Sequence, residues 1–165
     1  MLMSYDGNFL PPGATAPYEV VLDEITSVIW GRLEQQVYGI YLPILGTTRD
    51  AGNSVTDVLR SGLLLTKNAA GTGFTHWGGV VDQDTDLIQG VLCSTIKMQR
   101  MGTNQDRHMG YVLIGGLVKA KGLIVPGTAA SGIVGHAKED LIRWQMSKTM
   151  RFDDDPFGHL AVEPA

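Results

Sequence analysis

The sequence predicts a mainly β domain of the α+β class, a strand-built body with one or two helices. Three stretches carry that expectation. Residues 59–66 place Leu63, Leu64 and Leu65 in succession, 88–98 mix Val91, Thr95 and Ile96 with Leu92, and 111–118 are again β-branched and aromatic. Such side chains fit the half-buried, pleated surface of a sheet. At 165 residues the chain is long enough for one domain that buries about 70% of its unfolded surface.

The elements follow in order. Residues 1–17 contain Gly7, Pro11, Pro12, Gly13 and Pro17 without periodicity, the composition of an extended N-terminal arm. Its apolar residues, Leu2, Met3, Tyr5, Phe9 and Leu10, are anchors of the kind that fold onto a partner or a sheet edge. Residues 18–150 form the β-rich body. Within it, 24–36 read as a helix or a run of short strands, and the alternation over 37–45 favours a strand. The turn formers of 46–55 predict a loop. Gly71 and Gly73 let the chain reverse before Phe74–Trp77 resumes an extended course, a hairpin signal.

Residues 97–110 read as an exposed loop between strands, and Arg100, Arg107 and His108 are candidate partner contacts, with solubility as the alternative role. After the 111–118 strand, Lys119 and Lys121 alternate with Val118 and Ala120, which predicts a half-solvated strand. Residues 136–150 predict a helix whose stripe of Ala137, Leu141, Ile142, Trp144 and Met146 docks on the sheet, ringed by Lys138, Glu139, Arg143 and Lys148. Residues 151–165 form a tail with room for one edge strand, and Asp153, Asp154 and Asp155 read as a solvated stop.

Several function classes lose support. Net charge is −4 with the 13 basic residues dispersed, so no basic footprint for nucleic acid is present. No apolar run approaches the ~20 residues that span a bilayer, and the first basic residue is Arg32, unlike a secretion signal. A cytoplasmic site of synthesis is the expectation. Cys93 stands alone in an apolar strand and reads as a small buried hydrophobe. Asp82, Asp84 and Asp86 imitate the start of a calcium loop, but that loop wants glycine and glutamate where Leu87 and Cys93 stand. A solvated turn is the better reading. His76, His108, His136 and His159 lack ligand spacing, and phosphate-loop, nucleophile-elbow and zinc-protease motifs are missing. Neither enzymatic chemistry nor a metal or cofactor is expected. Charged residues make up only 18% of the chain, below the ~25% of typical soluble domains, so part of the surface is expected to be covered by a partner.

The order LRSGLLLTKN, a glycine turn, FTHW, an acidic loop, LIQGVL and later VLIGGLVKAKGLIVPG resembles the head decoration proteins of tailed bacteriophages. The resemblance rests on Gly62, Leu63 and Leu64; Phe74 with Trp77; Gly90, Val91 and Leu92; and Gly116, Leu117 and Val118 with Leu123 and Ile124. It covers roughly the middle half of the chain. It implies a small β-barrel-like or β-tulip domain that assembles as a homotrimer on the outer capsid surface of the virion, at three-fold and quasi-three-fold sites. The major capsid protein would be its partner and stabilisation of the shell its role, without catalysis. It further implies that the arm (Leu2, Tyr5, Phe9, Leu10), with Arg100 and Arg107, contacts the capsid, and that Leu63, Leu64, Trp77, Val91, Leu117 and Val118 serve the core or the trimer. Another virion part, a head-tail or tail component, or a bacterial trimeric binding module with a β core is the alternative, and a small hydrolase using His76 or Asp84 a more distant one.

Overall fold

The computed structural model describes residues 39–55, 57–79, 87–98 and 107–155. The arm, the 24–36 segment, the three aspartates of 82–86, Arg100 and His159 lie outside them. Strands β1 (Gly39–Leu45), β3 (Leu64–Lys67), β4 (Phe74–His76), β5 (Gly90–Leu92) and β7 (Arg107–Leu113) close into a barrel in the order β1-β4-β3-β5-β7. The long antiparallel pair of β1 and β7 runs in unbroken register from Gly39 opposite Leu113 to Leu45 opposite Arg107. The expected hairpin is β3–β4, with Leu65 opposite His76 and Lys67 opposite Phe74. Its turn is closed by Asn68, whose Oδ1 accepts the backbone N–H groups of Thr72 and Gly73 at 2.8 and 3.1 Å.

Successive side chains of a strand point to opposite faces, and here each face has its own core. Ile44, Leu65, Phe74, Leu92 and Val112, one from each barrel strand, converge in one buried cluster, the barrel interior. Their neighbours Leu64, Val91 and Leu113 point outward into a second cluster, under helix α1 (Glu139–Met146) and the short parallel pair β8 (Gly116–Val118) and β9 (Met150–Phe152). Each fully buried leucine or isoleucine contributes about 1.5–3 kcal/mol. A small antiparallel pair, β2 (Val58–Leu59) with β6 (Ile96–Lys97), adds Leu59 and Ile96 to the interior cluster.

The mainly β class, the barrel-like architecture and the docked helix stand as expected; the boundaries do not. Each of the three long strands is broken in two. The first breaks at Ser61 and Gly62, because Gly62 takes φ +95° and turns the chain. The second breaks at 93–95, and the third at Ile114 and Gly115. Short strands let the chain leave the barrel wall and build the second layer. Arg107 to Gly110 belong to β7 rather than to a loop. Lys119 precedes and Lys121 lies within a 3₁₀ turn, Ala120–Gly122, instead of both lying in a strand, although Val118 and Ala120 are buried as predicted. The helix is shorter than 136–150, and Ala137 precedes it, exposed.

Two predicted surface features are buried anchors. Arg143 is 3% exposed. It bonds Glu139 one helical turn earlier at 2.8 Å and Asp154 at 2.9 and 2.5 Å, and its guanidinium lies 4.7 Å from the centre of the Phe152 ring. The aspartates after β9 are therefore not a solvated stop. Asp153 accepts the Ala120 N–H at 2.8 Å, Asp154 holds Arg143, and Asp155 is buried. The tail does contribute the extra strand, β9.

Candidate interaction surface

The pleat that fills the barrel with Leu42, Ile44 and Val112 turns Tyr41 and Pro43 on β1, and Met109 and Tyr111 on β7, to the outside. Tyr41 stands opposite Tyr111 and Pro43 opposite Met109. Further along the same face of β7, Leu113 is covered by the second layer. That cover runs out toward Met109, leaving Tyr41 63% and Met109 59% exposed. The two tyrosine rings meet edge to face, their centres 5.4 Å apart, a favourable aromatic contact. Exposed Val55 and Val134 lie outside this ribbon. Aromatic residues and methionine are enriched, and charge depleted, at the centres of protein interfaces. Leu42, Pro43, Phe74 and Ile114, together with Lys67 and Thr72, line a recess of about 320 Å³.

A larger open cleft, about 520 Å³, lies between the Ser61–Gly62 turn and the Ala120–Gly122 turn, and Arg60, Thr95, Lys119, Lys121, Ser131 and Asp153 line it. Arg60 is structural as much as exposed. Its Nε and Nη2 donate to Asp50 at 2.6 and 2.8 Å, and Nη2 and Nη1 to the carbonyls of Thr128 and Ala129 at 2.7 Å each. The hydrogen bonds to Asp50 push the Arg60 pKa further up, so it is charged throughout.

Of the residues singled out in the sequence, Leu63, Leu64, Trp77, Val91 and Val118 are 0% exposed. They serve the core of one copy and offer nothing to a neighbour. Leu117 is half-buried. His76 is also half-buried, its Nδ1 accepting the Arg49 backbone N–H at 3.4 Å. Cys93 is fully buried, its thiol pushed up to about 12 by desolvation. Among the described residues no group of three or more His, Cys, Asp or Glu is placed to hold a metal ion, and no helix there is long and apolar enough to cross a membrane. The sequence reading missed the Tyr41–Met109 face. The alternation over 37–45 was its only signal, and alternation does not say which face stays uncovered. No known protein family, curated protein or solved structure matches the chain.

Proposed function

We propose that this protein is a non-enzymatic capsid decoration protein, a cement that binds the outer surface of a phage head as a homotrimer and stabilises the shell against internal DNA pressure. The observation that carries the reading is the uncharged step of Tyr41, Pro43, Met109 and Tyr111 on a closed barrel. β1 meets β4 only at Ile44 opposite Phe74, and an exposed, uncharged face of this kind is the surface that a partner's side chains cover. We assign it to the shell contact, together with the apolar arm (Leu2, Tyr5, Phe9, Leu10), Arg100 and Arg107. Several modest contacts made at once by one trimer give tight retention although each alone is weak. The resemblance in the order of strands and glycines supports the same reading.

Co-sedimentation of the purified chain with expanded empty heads tests it. Pelleting at near-lattice stoichiometry, reduced at least 10-fold by Tyr41→Glu with Met109→Glu, supports decoration. A chain that stays in the supernatant overturns it, and binding at the copy number of a single ring places the protein at the head-tail junction instead.

A further inference from the structure

Four methionines lie among the described residues, and three of them, Met98, Met146 and Met150, are buried. Met109 is the exception. It stands on β7 opposite Pro43, with Tyr41 as its diagonal neighbour about 7–8 Å away across the ladder, and more than half of its surface meets solvent. The pleat and the second layer together explain the difference. Val112 turns inward to the barrel, and the layer that covers Leu113 stops short of Met109.

A thioether sulfur carries lone pairs that attack a peroxide without any proton leaving the protein. One oxygen atom passes to Sδ as the O–O bond breaks, the sulfur is oxidised by two electrons, and the peroxide is reduced to water or an alcohol. The rate follows access to the sulfur, and the product is a polar, chiral side chain in place of an adaptable apolar one. In the free chain the new oxygen at Met109 stays hydrated, so the fold is indifferent to it. Against a partner's surface the same oxygen has to give up its water, and a polar group buried without a hydrogen bond is penalised. We infer that Met109 is an oxidation site for peroxides in the unassembled chain, and that its sulfoxide switches off docking through the Tyr41–Met109 face without unfolding the barrel. Methionine sulfoxide reductases undo this oxidation, so the switch is reversible. The inference rests on the assignment of that face to the shell contact.

Peptide mapping by mass spectrometry after treatment of the full chain with dilute hydrogen peroxide tests the site, and co-sedimentation with empty heads tests the consequence. Met109 should gain oxygen about 10-fold faster, or more, than Met98, Met146 and Met150, while the melting temperature stays where it was. Binding of the oxidised chain to heads should weaken about 10-fold or more and return after incubation with methionine sulfoxide reductase. Met109→Leu, whatever its own affinity, should bind equally before and after peroxide. Oxidation of Met109 no faster than that of the three buried methionines overturns the site. Full oxidation at Met109 with head binding unchanged overturns the switch and leaves decoration standing. A peroxide effect that survives in Met109→Leu assigns the loss to another methionine and also overturns the switch. Unoxidised chain that does not pellet with heads overturns decoration and the switch with it, and the peptide map alone then decides the site.

Discussion

Arg143 grips Asp154 with both terminal nitrogens, Nη1 on Oδ1 at 2.9 Å and Nη2 on Oδ2 at 2.5 Å. This fork joins α1 to the chain just past β9, and Glu139 steadies it from the preceding turn. The hydrogen bonds from Arg143 hold the Asp154 carboxyl below its ordinary 3.8. A carboxylate with a lowered folded pKa contributes stability that is complete above the unfolded value and lost as pH falls through the folded one. Stability should therefore be flat from neutral pH to about 5 as far as this pair is concerned, and fall below 4. Asp154→Asn should remove that part of the acid slope and cost about 1–2 kcal/mol at pH 7, less than a fully buried pair because Asp154 is 40% exposed. Urea melts at pH 7 and pH 3 measure both, and an unchanged slope in the variant would rule out the fork as its source.

Asp50 is a buried carboxylate in the loop after β1. It is 0% exposed, and its carboxylate is met by Arg60. Asp50→Ala should cost about 2–4 kcal/mol, because it strands a half-buried guanidinium and loosens the link from Arg60 to the Thr128 and Ala129 carbonyls. Asp50→Ala with Arg60→Met should cost less than the sum of the single changes. Thermal melts of the four proteins close the cycle, and additive costs would show the pair to be uncoupled.

Gly62 is where three segments meet. Its N–H donates to the Leu92 carbonyl at 2.6 Å and its carbonyl accepts from Ile124 at 2.8 Å. Its φ is +95°, and a Cβ there would stand 2.0 Å from the Gly122 oxygen. Gly62→Ala should cost about 3 kcal/mol or more through strain and backbone clash together, whereas Gly127→Ala, at φ +88° with open space around it, pays only the strain. Equal melting temperatures for the two would refute the close approach.

The parts of this fold that were legible in the sequence are those set by local pattern. Gly71 and Gly73 between apolar runs mark the β3–β4 hairpin, and the leucine-rich and β-branched runs mark strands, because turn chemistry and pleat are written within a few residues. What failed was non-local. Arg143 looks like a solvated helix residue until Asp154, eleven positions away, folds back to meet it. The same return of the tail turned three apparently idle aspartates into anchors. Leu64 and Leu65 are equally apolar, and only barrel closure decides that one faces α1 and the other the interior. For the candidate surface the obstacle was the same: Leu113 and Met109 share a face of β7, and only the extent of the second layer covers one and leaves the other bare.

Cys93 provides a probe of that second layer. It is fully buried in the cluster that α1 covers, and desolvation pushes its thiol up to about 12, so the thiol form dominates at pH 8 even before access is considered. A thiol reagent should therefore react with the native protein only when the layer opens, at the rate for an accessible thiol scaled down by the local opening equilibrium. Truncating Ile142, which is 0% exposed in the same cluster, to alanine should destabilise the layer by about 2–5 kcal/mol. Provided the opening runs through α1, labelling should then quicken by a factor of about 30 or more. Stoichiometric reaction of the unaltered native chain within seconds would mean that Cys93 is reached without opening, and that the helix does not seal this face of the barrel.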